Sequence, residues 1–318
     1  MTAPSYMRFL PPDVLAKLGR CELVARGVMS GFITGKHKSP LKGFSVEFAE
    51  HRQYAPGDDL RNLDWRVLAR KDRYYIKQYI EETNMRVTLL LDASGSMAYT
   101  GQQAAKREGK PCSKYDYARY LAATLGYLAV GQQDAAGLVT FDTQLRTYLP
   151  ARARPSQVKI MLETLEACKP GGETALADIF HDIAERIPRR GLVIIFSDLY
   201  DDPEALIRAL HHFRYRKHEV ILLHIVAEEE LSFPFDDFTR FRDLEHPDER
   251  LPIDPRTVRA AYLASVKRFL DAIESACGTL QIEYRRMPTS VPYDQALAEY
   301  LMSRRYARTM ALHAPFVF

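Results

Sequence analysis

Cysteine is scarce in this chain, and long apolar runs are missing from it. The four cysteines are scattered and include no C-x-x-C pair, which argues against a zinc knuckle or a secreted disulfide framework and favours a reducing compartment. No window approaches the roughly 18 continuous apolar residues of a membrane span. The N-terminal stretch lacks the apolar core of a signal peptide. We therefore expect a cytoplasmic protein without a membrane span.

A strong charge of one sign is also lacking. The 44 Lys and Arg nearly balance the 41 Asp and Glu, for a formal net charge of +3, so nothing global favours nucleic acid or an anionic membrane as a partner. The basic stretch "GKHKSPLKG" has no interleaved aromatic residues and is typical of a solvated loop. His211, His212 and His218 form a loose cluster without a metal-ligand partner set, as expected of an exposed helix end.

From residue 86 onward, short apolar runs alternate with amphipathic helical patterns. "RVTLLLD", "DAAGLVTFD", "GLVIIFSD" and "EVILLHIVA" are continuously apolar before their polar ends. Such strands, interleaved with helices of about 12 residues or more, predict a parallel sheet with helices on both faces. The sequence therefore predicts a doubly wound, mostly parallel α/β domain over 86–318.

Two other regions depart from this pattern. Residues 228–254 are acidic and rich in turn formers, and we interpret them as an insertion with a small hairpin. Residues 1–85 hold two strand-like runs separated by a turn and a short helix. We expect these to form a small β-rich N-terminal region, as a satellite or as a flange on the main sheet.

Oxygen-bearing side chains stand where two apolar strands end. Asp92, Ser94 and Ser96 follow "RVTLLL", and Asp198 follows "VIIFS". A third element, "GGET", places Thr174 in a loop before a predicted helix. Because ligands of open α/β sheets bind outside the carboxyl ends of the strands, these groups are expected to converge. Hard oxygen ligands suit Mg²⁺ or Mn²⁺ better than zinc or copper.

Each piece also has an ordinary explanation. A D-x-S-x-S pattern arises by chance in roughly one chain in ten of this length, and Asp198 or Thr174 alone is compatible with a helix cap. All three pieces in the correct strand–helix order are much less likely to occur by accident, and we put the odds that this arrangement is a structural coincidence at about one in twenty. The pattern therefore favours a binding site.

In this order, "DASGS", "GGET" and "FSD" resemble the metal-ion-dependent adhesion site of von Willebrand factor type A domains. The resemblance covers about residues 86–310. It implies that Asp92, Ser94, Ser96, Thr174 and Asp198 bind Mg²⁺, with Mn²⁺ or Ca²⁺ as alternatives. It also implies that an acidic side chain of a protein partner completes the coordination shell.

The stretch upstream resembles the signature of the bacterial "domain of unknown function 58" family. The matching residues are Arg52, Tyr54, Pro56, Gly57, Asp58, Asp59, Arg61, Asp64, Trp65, Ala69, Arg70 and Glu81 or Glu82. The resemblance implies a partnership with a MoxR-type AAA+ ATPase or with its client. For the signature residues, we favour a structural role over partner contact, with Trp65 filling a core and Asp64 pairing with Arg61 and Arg70.

Three functions remain open on the sequence. A non-enzymatic, metal-dependent protein-interaction module or adaptor is favoured, because no nucleophile with a base is evident: Ser94 lies outside a G-x-S-x-G elbow. A metal-dependent phosphohydrolase using the same oxygens is the alternative, although Ser94 stands where a dehalogenase-type phosphatase has a second aspartate. The third is a scaffold that has lost its metal.

Overall fold

A six-stranded sheet lies at the centre of the larger part of the chain. The computed structural model describes residues 5–16, 46–55, 63–71, 73–81, 85–107, 109–173, 175–187, 190–246 and 248–313. The chain divides into two compact units, Lys36–Asn84 and the combination of Met1–Gly35 with Met85–Phe318. Residues 5–16 thus belong with the larger unit, and the predicted boundary at residue 85 stays a prediction.

The strands and helices alternate along the chain as the apolar periodicity predicts. The strands are β1 Val46–Gln53, β2 Tyr75–Glu81, β3 Arg86–Asp92, β4 Lys106–Arg107, β5 Lys110–Pro111, β6 Ala135–Phe141, β7 Leu145–Arg152, β8 Leu192–Ser197, β9 Glu219–Val226, β10 Thr239–Arg242, β11 Arg250–Ile253 and β12 Glu283–Pro288. The helices are α1 Trp65–Lys71, α2 Lys114–Gly131, α3 Pro155–Ala167, α4 Leu176–Arg186, α5 Pro203–Tyr215, α6 Glu228–Ser232, α7 Pro255–Thr279 and α8 Tyr293–His313. Short 3₁₀ turns cover Ser5–Phe9 and Ser96–Ala98.

The order of the main sheet is β12–β9–β8–β3–β6–β7. All neighbours pair in parallel except β7, which runs antiparallel to β6 at the edge. The chain moves outward from β3 to β7, then returns to β8 on the other side of β3. The order therefore reverses between β3 and β8, which is the point where open α/β sheets bind their ligands.

Both faces of this sheet are covered by helices. Leu89 and Leu91 of β3 pack into the apolar layer beneath α2, α3 and α8, while Leu90 packs into the layer beneath α4, α5 and α7. Because the two faces are equally covered, β6 and β8 are buried along their whole length. The predicted doubly wound α/β fold is confirmed.

Local signals set the ends of the helices. The hydroxyl of Ser113 accepts the Asp116 amide and caps α2, and the carboxylates of Asp202 and Asp254 cap α5 and α7 in the same way. A proline opens α3, α5 and α7, where its missing N–H has no intrahelical partner anyway.

The acidic segment after β9 has structure of its own. It holds the antiparallel hairpin of β10 and β11, which the turn formers in this segment predicted, and also the short helix α6, which was not predicted. Phe233 follows α6 and packs against Phe235, Phe241 and Tyr262, with ring centroids 4.5 to 5.8 Å apart. This small aromatic cluster anchors the segment on α7.

In its described residues, the smaller unit consists of a two-stranded antiparallel ribbon and one helix. β1 pairs with β2, and α1 lies between them in the chain. Asp64 caps α1 by accepting the amides of Arg66 and Val67 at 2.9 and 3.2 Å. Leu63 and Ile76 are buried and joined by a bridge.

The prediction that Trp65 fills a core is wrong. Its side chain is 65% exposed, because Trp65 is the first residue of α1 while Leu63 and Ile76 take the buried positions. Arg70 is exposed as well. Pro56, Gly57, Asp58, Asp59, Arg61 and Glu82 lie outside the described residues, so the predicted pairing of Arg61 with Asp64 is untested. The role of this signature in partner contact stays a prediction.

Within the part of the chain that the structure describes, no helix combines the length and apolar character needed to cross a membrane.

Candidate metal site at the carboxyl edge of the sheet

Two loops meet at the carboxyl end of β3. The Gly171 amide donates to the Ala93 carbonyl at 2.9 Å, and the Gly95 amide donates to the Gly172 carbonyl at 2.8 Å. These hydrogen bonds hold residues 171–173 beside the loop that follows Asp92. Thr174 itself lies outside the described residues, so its role as a ligand stays a prediction.

Asp92, Ser94 and Ser96 form a compact set of oxygen donors. Asp92 and Ser94 are fully buried, and the Ser94 amide donates to Asp92 Oδ1 at 2.9 Å. The Oγ atoms of Ser94 and Ser96 lie 3.1 Å apart. Adjacent ligands of an octahedral ion with bonds of about 2.0–2.1 Å lie about 2.9 Å apart. The two hydroxyls are therefore spaced as neighbouring ligands of one Mg²⁺.

Asp198 reaches the same edge from the end of β8 and carries a buried ion pair. Lys114 Nζ donates to Asp198 Oδ2 at 2.6 Å and to Glu230 Oε1 at 2.6 Å. Burial opposes ionisation of Asp198, but the Lys114 ammonium outweighs it, so the pKa of this carboxyl lies below its usual range; the Ser96 hydroxyl adds to this effect. The two carboxylates likewise raise the pKa of Lys114 despite its burial.

Among the described residues, no comparable cation stands beside Asp92. Burial, followed by the negative charge of Asp198, raises the pKa of Asp92 to about 7. The Ser197 hydroxyl donates to Asp92 Oδ2 at 2.6 Å and acts in the opposite direction without cancelling the shift. A divalent ion beside Asp92 would supply the missing positive charge, so the donor set fits Mg²⁺ in both chemistry and charge.

His224 contacts the backbone of Asp198. Its Nε2 lies 3.0 Å from the Asp198 carbonyl oxygen and its Nδ1 lies 2.8 Å from the Tyr284 hydroxyl. Because a carbonyl only accepts, Nε2 carries the proton and Nδ1 accepts from Tyr284. Burial lowers the pKa of His224 to about 4. The imidazole is therefore a neutral support that holds the Asp198 backbone in place.

The acidic segment 228–254 forms one wall of the site. A cleft of about 650 Å³ opens beside Ser96 and Asp198. Phe233, Phe235 and Phe241 supply an apolar part of its lining. Its charged lining comprises six acidic and three basic side chains: Asp198, Glu229, Glu230, Asp243, Glu245, Glu249, Lys114, Arg242 and Arg250. In the absence of a bound cation, this cleft is therefore predominantly acidic.

Gly95 allows the acidic segment to approach the loop of the site. A Cβ at this position would lie 2.6 Å from the Leu244 carbonyl oxygen and 3.0 Å from that of Gly172. The backbone of Gly95 is in the ordinary helical region, at φ −62° and ψ −37°, so conformation does not require glycine here. The requirement is one of space between two backbone segments.

We expect Gly95→Ala to lower the free energy of unfolding by about 1–3 kcal/mol, the usual cost of overpacking. Gly278→Ala is the matched control, because a Cβ there meets no atom of the described residues within 4 Å. Since Gly278 lies inside α7, alanine should stabilise by up to about 1 kcal/mol. Urea unfolding of both variants measures the difference. Equal stability of Gly95→Ala and the parent protein would contradict the close approach of Leu244.

The structure brings Asp92, Ser94, Ser96 and Asp198 together as the sequence predicted. Sequence analysis missed four residues that support this set: Lys114, Ser197, His224 and Glu230. Ser197 stands next to Asp198 in "FSD", which is a signal that could have been used. No local sequence signal marks Lys114 or Glu230, because Lys114 lies 84 residues from Asp198 and 116 residues from Glu230 in the chain.

The sheet order and the oxygen-lined edge at its reversal point define a doubly wound α/β domain with a candidate ion site where the strand order reverses. The chain belongs to the DUF58 family, described as "Protein of unknown function DUF58", whose model matches residues 50–269. This match includes β3 and all five candidate metal ligands, together with the upstream signature.

The similarity to individual proteins is lower in sequence identity. An uncharacterized protein of Mycobacterium tuberculosis is 29% identical over 226 residues, which cover 70% of this chain and 68% of that protein. The crystal structure of the conserved hypothetical protein BatB from Bacteroides thetaiotaomicron has 19% identity and a TM-score of 0.44, covering 70% of this chain and 100% of that one. The SpRpn10 VWA domain has 14% identity and a TM-score of 0.40, covering 69% and 95%.

Proposed function

We propose that the protein is a non-enzymatic, metal-dependent interaction module. Asp92, Ser94, Ser96, Thr174 and Asp198 hold Mg²⁺, or Mn²⁺ or Ca²⁺, at the carboxyl edge of the sheet. An acidic side chain of a protein partner completes the coordination. The observation that carries this proposal is the 3.1 Å spacing of the two serine hydroxyls between two buried carboxylates.

The charge of the cleft explains why binding would depend on the ion. Without a cation, its six acidic side chains outnumber its three basic ones and repel a partner's carboxylate. A divalent ion adds two positive charges beside Ser96 and Asp198. When bound, the ion supplies a coordination position for an anionic group, while Lys114 keeps Asp198 ionised and His224 keeps its backbone fixed.

The lining also indicates the kind of segment that fits. The aromatic wall of Phe233, Phe235 and Phe241 lies in the same cleft as the charged groups. A partner segment that places an apolar side chain next to its acidic residue would use both parts of the cleft. The resemblance to the DUF58 family favours a MoxR-type AAA+ ATPase, or its client, as the partner, with remodelling energy coming from ATP hydrolysis.

Metal binding is tested by calorimetric titration of Mg²⁺ and Mn²⁺ into the protein. We expect one ion per chain, and at least about 100-fold weaker binding in Ser94→Ala/Ser96→Ala, because two direct ligands are lost. Ser275→Ala, an exposed serine on α7, is the matched control and should bind as the parent does. Unchanged ion affinity in the double variant, with circular dichroism confirming its fold, would overturn the site.

Partner binding is tested with an immobilised MoxR-type AAA+ ATPase in Mg²⁺ and in EDTA. Retention of the parent protein only with metal, and loss of retention in Ser94→Ala/Ser96→Ala, would support the module. Equal retention with and without metal would exclude the adhesion mechanism and direct attention to the signature around Arg52 to Arg70.

A phosphohydrolase is the second candidate, and Lys114 is the observation that favours it. A lysine beside Asp198 at the carboxyl edge can stabilise a transferring phosphoryl group. Its ammonium is, however, buried and already shared by Asp198 and Glu230. Release of phosphate from an aryl phosphate in Mg²⁺, abolished by Asp92→Ala, would replace the interaction module with this enzyme.

A further inference from the structure

Two neighbouring helices bring a second group of metal-ligating side chains together, apart from the cleft. α4 and α5 pack through Phe180 and Phe213, whose rings meet edge to face with centroids 5.6 Å apart. The adjacent residues, His181 and His212, stand at the rim of this contact with ring centroids 4.3 Å apart. Glu185 follows His181 by four residues on α4 and therefore shares its helix face.

The distances between the candidate ligand atoms are close to those between the ligands of a bound metal ion. One ring nitrogen of each histidine and one carboxylate oxygen of Glu185 all lie within 4.8 Å of one another. Ligands around tetrahedral Zn²⁺, with bonds of about 2.0–2.1 Å, lie about 3.3 Å apart. The side chains of His181 and Glu185 are 56% and 54% exposed. Side-chain rotation can therefore close the difference without movement of either helix.

His212 carries the strongest indication of a ligand. Its Nε2 atom is buried, and it has no hydrogen-bond partner among the described residues, which is a costly arrangement for a polar nitrogen. Burial, followed by the nearby His181 and Arg216, lowers the pKa of His212. The imidazole is thus neutral at neutral pH, which is the form that binds metals.

Arg216 forms an ion pair with Glu185 that competes with metal binding. Its guanidinium lies 3.7 Å from the Glu185 carboxylate, which is also 3.8 Å from His181. Both pairs are solvent-exposed, and exposed pairs of this kind contribute at most about 1 kcal/mol. Coordination to a transition metal outweighs such contacts, so they would not prevent binding.

We propose that His181, Glu185 and His212 form a transition-metal site that binds one Zn²⁺ through two imidazole nitrogens and one carboxylate oxygen. Three protein ligands leave the fourth tetrahedral position open to water or to a group from another molecule. Imidazole ligands select Zn²⁺, Ni²⁺ or Cu²⁺ over Mg²⁺. The site therefore differs in chemistry from the oxygen-lined edge of the sheet, and neither depends on the other.

Zn²⁺ titration in competition with a chromophoric chelator tests this site in the full chain. The protein carries Ser94→Ala/Ser96→Ala, so that the edge of the sheet does not contribute. We expect one Zn²⁺ per chain, at least about tenfold weaker binding in Glu185→Gln, and at least about 100-fold weaker binding in His181→Ala/His212→Ala. Zn²⁺ should also raise the thermal unfolding temperature of the Ser94→Ala/Ser96→Ala protein, because it binds the folded state in preference to the unfolded chain.

His211→Ala is the matched control, since His211 is exposed and neighbours His212 on the same helix. It should leave the affinity unchanged. The proposal is overturned by an absence of saturable Zn²⁺ binding, or by a loss in His211→Ala as large as that in Glu185→Gln. Glu185→Gln keeps the test decisive should the double histidine variant fail to fold, because it is isosteric and exposed.

Discussion

Replacement of Lys114 by methionine is expected to lower the free energy of unfolding by about 3–5 kcal/mol. The Lys114 side chain is 3% exposed and its partner Asp198 is 4% exposed, so the substitution leaves a buried carboxylate without its cation. Removal of one partner of a buried ion pair costs this much because the remaining charge is uncompensated. Methionine keeps most of the side-chain volume, so the effect reports charge rather than a cavity.

Urea unfolding in EDTA measures this loss without interference from metal ions. Two further variants isolate its cause. Glu230→Gln should cost less than about 1 kcal/mol, because the Glu230 side chain is 35% exposed and its pair with Lys114 is screened. Asp198→Asn in the Lys114→Met background should restore much of the lost stability by removing the unpaired charge. Failure of this second substitution to restore stability would contradict the ion pair as the source.

The destabilisation caused by Lys114→Met should also be smaller at acidic pH. Without Lys114, burial raises the pKa of Asp198 above its unfolded value, so the folded variant binds a proton that the unfolded chain has released. The contribution of Asp198 to the stability of Lys114→Met therefore increases as the pH falls toward the unfolded pKa of about 3.9. The parent protein has the opposite dependence at this residue, because its Asp198 pKa is lowered and its contribution is lost as the pH falls.

Acid is expected to destabilise the parent protein through His224 by about 3 kcal/mol. The pKa of this buried imidazole is lowered to about 4, whereas it is about 6.5 in an unfolded chain. Between these values the unfolded state binds a proton that the folded state does not. The contribution is therefore complete above about pH 6.5 and is lost as the pH falls through 4.

The pH dependence of urea unfolding measures this contribution. His224→Gln removes the titrating group, so the decrease in stability between about pH 6.5 and 4 should be smaller by about 3 kcal/mol. His211→Gln replaces an exposed histidine and should leave the profile unchanged. An identical slope in the parent and in His224→Gln would show that His224 is not buried as a neutral group behind Asp198.

Much of the fold was predictable because it follows from the local spacing of apolar residues. Val87 to Leu91 and Leu192 to Phe196 are continuously apolar, and only a sheet covered on both faces buries such runs. The capping aspartate Asp254 and the following Pro255 are an equally local signal for the start of α7. The prediction for Trp65 was wrong because burial is not a local property. The size and apolarity of the ring suggest burial, but the tertiary structure decides whether a neighbour covers it.

The candidate metal site divides in the same way. Asp92, Ser94 and Ser96 were identified because they are consecutive along one strand end, and Asp198 because it ends another parallel strand. Lys114 and Glu230 were missed because nothing near them in the chain marks them as partners. The histidines show the contrast well: His211 and His218 are close to His212 in sequence, but it is His181, on another helix, whose ring packs against it.

By itself, the sequence determined the order of strands and helices, the doubly wound class and the oxygen donors that follow two strands. These depend on periodicity and on the rule that parallel strands end at one edge. The tertiary structure alone decided that a buried lysine pairs with Asp198 from 84 residues away, that an acidic segment walls the cleft, and that two helices join His181 to His212. Such contacts arise when separate elements pack, and their energies depend on burial and distance, which no stretch of sequence contains.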